Sequence, residues 1–403
     1  MNQSAKPASS MPFIALGLFG LYAVEFGVVG ILPVIVERFG VSVFQAGLLI
    51  SLFALIIAFL GPILVLMTSR FDRKSTLAWT LLGFTVCSVF TAYATHFSTL
   101  MVLRVIPALM HPIFFSAAFA TAASLYRRER AAQATSHAFV GTTLGIVFGV
   151  PLMTWVAARF GYEASFLFCA AVTLLAGLGL VAMLPRPERS EPLSFGHQVA
   201  VLKKGALWLS IVTSILVFSA GFAVYSYAAE FLRSEAHMDG QTISLILVVF
   251  GVGGFAGNLA AGALMTRSPL ATALGYPIAL AAAYVILEAF STPSVLVMAL
   301  VALVWGAAHT SGLVVTQTWL TSVATEAPEF ANSLYLSSAN AGVVLGSFSG
   351  GMAIETFGTR GVIWCGILFS VLSLATIAAK AQIYGLGSER RKALGTAVVD
   401  TTI

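Results

Sequence analysis

Charge is scarce in this sequence. Asp, Glu, Lys and Arg together make up 9% of its 403 residues, where soluble domains carry about 25%. So little charge cannot cover a water-facing surface, and the mean hydropathy of +0.95 says the same. This excludes a soluble enzyme, a nucleic-acid-binding domain and a disordered chain. Cysteine is scarce as well. Cys87, Cys169 and Cys365 sit inside apolar runs and none forms a C-x-x-C pair, which argues for small packing residues and against a disulfide framework. The H-E-x-x-H, G-x-S-x-G and G-x-x-x-x-G-K-[ST] patterns are absent. No metal, cofactor or catalytic set is expected. Without a P-loop, any transport must draw on an ion or substrate gradient, or on a partner.

Long apolar runs are what the sequence has in abundance. A membrane helix needs about 20 apolar residues, and runs of that order fall at 11–36, 45–68, 75–95, 98–125, 134–158 and 163–184. A polar, Pro-containing stretch follows, and then runs at 206–232, 241–265, 270–291, 293–322, 331–354 and 360–383. Barrel strands would be shorter and would alternate with period two. The first run is too long for a signal-peptide core and is expected to be a retained helix. The expected fold is therefore all-α and integral to the membrane: twelve transmembrane helices in two six-helix pseudo-repeat lobes. The expected units are lobes at 1–184 and 206–383, a cytoplasmic linker at 185–205 and a cytoplasmic tail at 384–403.

The net charge of +5 serves orientation rather than nucleic acid. With the N-terminus inside, 16 of the 21 Lys and Arg residues fall in cytoplasmic segments. Four fall outside, and Arg104 lies within a span. This is a positive-inside pattern, and an odd number of helices would break it.

The halves echo each other. Gly141, Gly145 and Gly149 recur at a spacing of four, as do Gly342, Gly346 and Gly350. Phe160-Gly161 and Phe357-Gly358 close the two segments. A spacing of four places each triplet on one helix face, where backbones can approach closely. Two uses are open: static packing, or a smooth contact on which the lobes rock. Pro151 should bend the fifth helix.

Two charges sit where charge is expensive, at about 2.5–3.5 kcal/mol or more in mid-bilayer. Glu25 lies midway along the first span and Arg104 lies in the fourth. A carboxyl that titrates near cellular pH can carry one proton per cycle, so Glu25 is the candidate proton carrier; the alternative is a structural Glu bonded to a neighbouring helix. Arg104 stays protonated. It could tune a nearby acid, bind substrate, or cap backbone carbonyls. His111 lies two turns further on the same helix face, and His309 lies in the tenth span. Either could bind substrate, shuttle protons, or be an ordinary core histidine. Tyr22, Phe115, Tyr225, Tyr227 and Trp305 are close enough to polar residues to line a pocket. Gln317 and Asn340 are uncharged polar candidates.

These residues resemble the major facilitator superfamily, and within it the twelve-span drug:proton antiporter branch. The loop from Gly61-Pro62 to Ser69-Arg70-Phe71-Asp72-Arg73-Lys74 is similar to the loop motif after the second span. Ser69 stands where that motif carries an acid. Arg104 matches the fourth-span Arg that the resemblance links to proton transfer. Gly145 to Pro151 resembles the fifth-span antiporter motif, which favours export. Local matches at Glu25-Phe26 to Leu32-Pro33, His111-Pro112-Ile113-Phe114-Phe115-Ser116 and Tyr225-Ser226-Tyr227 are similar to bacterial sugar efflux and arabinose efflux permeases. Gln317-Thr318-Trp319-Leu320-Thr321 looks more like nucleoside exporters.

The resemblance implies a monomeric inner-membrane exporter of small molecules, driven by proton antiport. It implies a conformational switch in Gly61, Asp72, Arg73, Lys74, Gly145, Gly149 and Pro151. Asp72, Arg73 and Lys74, with Arg127 to Arg130, are expected either to stabilise one state through ion pairs or to serve as simple orientation signals. A nucleoside or purine exporter, or an importer of the same fold, are the alternatives.

Overall fold

The computed structural model describes residues 7–68, 71–125, 131–185, 199–324 and 328–384. They form thirteen α-helices and one short 3-10 turn, Val199–Lys203. The first six helices are α1 (Pro7–Phe39), α2 (Val43–Thr68), α3 (Arg73–Ala92), α4 (Phe97–Ser124), α5 (Ala131–Phe160) and α6 (Tyr162–Met183). The rest are α7 (Gly205–Tyr225), α8 (Ala228–Ser234), α9 (Gly240–Arg267), α10 (Pro269–Ala289), α11 (Val295–Thr321), α12 (Pro328–Phe357) and α13 (Gly361–Tyr384). They make twelve spans, because α7 and α8 are one span interrupted at Ser226-Tyr227. The expected single run over 206–232 missed that break. Lys6, Arg70, Arg127–Arg130, Arg186, Arg189 and the basic tail lie outside the described residues.

Ten spans are apolar and long enough to cross a bilayer unaided by context. Among the described residues α5 contributes an apolar stretch over Leu144–Phe160, and α12 is less apolar than the ten; these two helices carry the glycine triplets. Large apolar side chains elsewhere point outward: Phe59, Trp79, Leu296 and Trp364 are all more than 60% exposed. On a soluble protein this would be an aggregation surface; here it is the lipid-facing belt.

The helices pack as two groups of six spans, with equivalent contacts in each. Within α1–α6, α1 packs on α5 and α6, α2 on α4, and α3 on α4 and α6. Within α7–α13, α7 packs on α12 and α13, α9 on α11, and α10 on α11 and α13. The glycine triplets make the tightest of these contacts. A side chain at Gly141, Gly145 or Gly149 would strike the α1 backbone at Ala15, Phe19 or Ala23. One at Gly342, Gly346 or Gly350 would strike α7 at Ile215, Ser219 or Ala223. The stripes therefore face inward within each group. Close helix packing, one of the two expected uses, accounts for them: the nearest neighbours of each triplet belong to its own group of spans. Each stripe ends in a helix stop: Gly161 (φ +91°) and Gly358 (φ +76°) adopt the left-handed conformation and their N–H groups return to Ala157 and Ile354 at 2.9 Å. That accounts for the repeated Phe-Gly pair.

The two groups meet through α2 with α12, α5 with α9, and α1 with α8. These joins lie in the part of the bundle away from the chain termini. Ser51 Oγ and Ser347 Oγ are 2.7 Å apart. Ser244 donates to the Pro151 carbonyl at 2.7 Å, and Ser42 donates to Glu355 at 2.9 Å. Arg233 pairs with Glu37 across the seam. Pro151 has a second effect there. Its missing N–H leaves the Val147 carbonyl without its helical partner, and Gly251 of α9 packs against that carbonyl and the Val147 side chain.

Candidate functional site

The site begins on α1. Glu25 is 5% exposed and lies one turn beyond Tyr22. Opposite is α4, which runs antiparallel and presents Arg104 and His111 on one face. Helix carbonyls point toward the C-terminus, and side chains tilt toward the N-terminus. Seven residues of α4 span about 10 Å, so α4 meets Glu25 twice. Arg104 meets its backbone: Nη1 donates to the Val24 carbonyl at 2.6 Å and Nη2 to the Glu25 carbonyl at 2.9 Å. His111 meets its side chain, with Nε2 at 3.0 Å from Oε2. The guanidinium also lies over the Phe53 ring at 4.6 Å. Of the three roles open to Arg104 from the sequence, the geometry realises the carbonyl cap. A carbonyl oxygen with two lone pairs can accept this second bond while staying in the helix.

Rings enclose His111. Phe115 is stacked on it at 6.3 Å, while Tyr22 at 5.4 Å and Phe53 at 6.0 Å present edges. A second ring cluster lies in the other group of spans. His309 of α11 is 4.9 Å from Tyr225, 5.4 Å from Phe250 and 5.7 Å from Phe222. Trp305 is fully buried behind Phe250 at 4.7 Å. Gly221 and Gly312 leave a small cavity of about 20 Å³ beside His309, closed by Phe218, Phe222 and Tyr276. Phe26 and Phe222 approach to 5.4 Å and join the two clusters across the seam.

Other candidates lie apart from these clusters. Tyr227 is buried in the seam itself, where its hydroxyl donates to the Ser347 carbonyl at 2.7 Å and its ring tip fits against Gly47 and Gly351. Gln317 donates to Asn332 at 3.1 Å near the end of α11. Asn340 donates to Leu336 of its own helix at 3.0 Å. Gly61 makes ordinary contact with Pro112. Asp72 caps α3 by accepting from the Ser75 N–H at 2.9 Å. Lys74 donates to the Leu184 carbonyl at the end of α6 at 2.6 Å. Arg73 neighbours both at the first turn of α3.

Some residues that shape the site carry little signal in the sequence. Phe26, Phe53, Phe222 and Phe250 are four of 30 phenylalanines. Only proximity to Glu25 or Tyr225 would have marked two of them. Ser51 was more legible, as an isolated hydroxyl in the middle of an apolar span. At the far end of the molecule, a cleft of about 390 Å³ lies between α1, α5, α8 and α9, with Glu37, Arg233, Asp239 and Gln241 on its walls.

The family profile described as Major Facilitator Superfamily matches residues 14–234 and 209–383. The inner membrane transport protein YdhP of Escherichia coli is 31% identical over 342 residues, covering 85% of this chain and 88% of that protein. A probable sugar efflux transporter of Mannheimia succiniciproducens is 25% identical, covering 90% and 91%. A chloramphenicol resistance protein of Streptomyces lividans is 30% identical over 64% of this chain and 66% of its own. In three dimensions the chain is similar to a bacterial homologue of the human lysosomal transporter Spinster in an inward-facing, unoccupied conformation. The TM-score is 0.79 at 18% identity, with 94% and 98% covered.

Proposed function

The chain belongs to the major facilitator superfamily, and from that premise we propose that it is a proton-driven exporter of small organic molecules. Membership makes it a multi-pass secondary transporter and not an enzyme. The finer reading adds direction, coupling and place. The protein sits in a bacterial inner membrane with both termini cytoplasmic, as a monomer of the drug:proton antiporter branch. Residues 1–184 and 206–383 act as two lobes, joined by 185–205 and followed by the tail 384–403. With the two groups joined on the side away from the termini, substrate enters between them from the cytoplasm.

One observation carries this reading: a buried carboxylate midway along α1, at the wall where the two ring clusters meet. Glu25 releases its proton inward and substrate binds from the cytoplasm. The lobes exchange, and protonation from outside expels the substrate. Binding of proton and substrate shifts the two states because each binds them differently. Tyr22, His111 and Phe115 on one wall and Tyr225 and His309 on the other give the substrate two aromatic surfaces and few charges. That chemistry suits molecules with an apolar or sugar ring face, in keeping with the names of the sugar efflux and chloramphenicol resistance relatives.

The test is accumulation in inverted membrane vesicles under an imposed pH gradient. A panel of sugars, nucleosides, chloramphenicol and lipophilic cations is offered to the wild type and to Glu25→Gln. The wild type should accumulate one class at least tenfold over the variant. Equal accumulation would remove Glu25 from the coupling, and gradient-driven loss from the vesicles would make the protein an importer.

A further inference from the structure

We propose that the proton carrier is not Glu25 alone but a Glu25–His111 pair that takes up and releases one proton as a unit. This deepens the export reading and rests on it. The geometry is specific. His111 Nε2 and Glu25 Oε2 approach to 3.0 Å. Both atoms are buried, and neither makes an aligned hydrogen bond in the structure, so this approach is their polar contact. The imidazole Nδ1 is likewise buried without a partner. Among the described residues Arg104 supplies the one permanent cation nearby, but it is engaged by the carbonyls of Val24 and Glu25 and by the Phe53 ring. It fixes the site's charge and leaves the carboxylate to the histidine.

Charge balance then limits the pair to one proton. With the pair empty, Arg104⁺ and Glu25⁻ cancel and the imidazole is neutral. One added proton gives the site a single net positive charge, whether the proton sits on Nδ1, on Nε2 or on the carboxyl. A second would place two net charges in a buried site, at high cost. A proton enters at Nδ1, and the Nε2 proton passes to Oε2. The ring returns to neutrality with the proton moved to the carboxyl; release reverses the steps. Among the described residues, the other titratable groups near the pair are few. Tyr22 shares its helix, Tyr335 of α12 faces Tyr22, and Cys169 and Tyr162 approach Arg104 from α6. Each is neutral in normal use, so none substitutes for the histidine.

The test uses the full chain in proteoliposomes and needs no substrate for its first readout. The infrared carboxyl band that disappears in Glu25→Gln is titrated against pH in the wild type and in His111→Gln. A paired titration predicts that its midpoint moves by about one pH unit or more when the ring is removed. An unmoved midpoint overturns the pair. Should His111→Gln fail to fold, nitrogen NMR of histidine-labelled wild type serves instead, with six His to assign. The His111 ring and the Glu25 band must then show the same transition, and independent transitions overturn the proposal.

The second readout compares gradient-driven accumulation with substrate exchange at equal pH, using whichever member of the panel the wild type moves. His111→Gln should lose at least tenfold more in the first than in the second, since loss of a wall ring weakens both equally and loss of the proton site weakens only the first. An unmoved midpoint with intact wild-type export refutes the pair and leaves export standing. A moved midpoint without gradient-driven accumulation of anything refutes export and leaves the pair standing.

Discussion

Arg104 shows how a residue can be found correctly from sequence and its task still be open. Its cost in the membrane was legible, because a mid-span arginine must be satisfied by something. Which partner satisfies it was not, because that depends on the antiparallel register of α4 against α1. The register gives the guanidinium two carbonyls and gives the carboxylate to His111. Arg104→Lys should therefore behave as a loss. A point charge cannot span both carbonyls as a planar fork does, and losing one charge-assisted bond costs about 1.5–3 kcal/mol. Thermal unfolding of the detergent-solubilised variant should begin several degrees lower. An unchanged transition would mean that the two carbonyl bonds carry no stability.

Asp239 offers a simpler check. It caps α9, and the Thr242 N–H bound at 2.8 Å holds its carboxyl below the usual carboxylate value. A depressed value stabilises the fold above the unfolded-state pKa and loses that contribution as pH falls through the folded one. Asp239→Ala should cost about 1 kcal/mol at neutral pH. The gap between variant and wild type should close below about pH 4.

Among the elements, α5 and α12 carry the most information. Their glycine triplets were visible as a repeat half a chain apart, and so was the idea that they let helices approach. Their partner was not visible, since a stripe of glycines marks a face without naming what it faces. Contact with α1 and α7 makes these positions intolerant. In a scanning library, Gly145 and Gly346 should reject even alanine, because an added carbon would overlap the α1 or α7 backbone. Gly262 and Gly275 have open space around them and should accept it. Surface expression of a tagged library reads this directly, and equal tolerance at all four would contradict the packing. The seventh span teaches the opposite lesson. Its hydroxyl residues are scattered along the span and no Pro marks the break, so nothing in the pattern announced the interruption at Ser226-Tyr227. The break is set by tertiary contacts, with the Tyr227 ring lodged against Gly47 and Gly351 and its hydroxyl on Ser347.

For the molecule as a whole, alternating access requires the seam between the groups to part. Ser51→Cys with Ser347→Cys, in a background with Cys87, Cys169 and Cys365 replaced, puts two thiols where two hydroxyls now touch. Oxidation should stop export and reduction should restore it, followed as accumulation in the same vesicles. Undiminished export by the cross-linked protein would mean that the seam does not open in the cycle.

The seam also has an energetic consequence. Besides the apolar and ring contacts that cross it, it is held by a handful of polar bonds, each worth about 0.5–1.5 kcal/mol net. Their sum is of the order of the 5.5 kcal/mol that inverts a population from 1:99 to 99:1. A bound proton or a bound substrate can supply a differential of that size. The molecule is thus poised like a balance with light pans, where removing a single seam hydroxyl such as that of Ser244, which reaches the Pro151 carbonyl, should shift the populations about 2- to 12-fold.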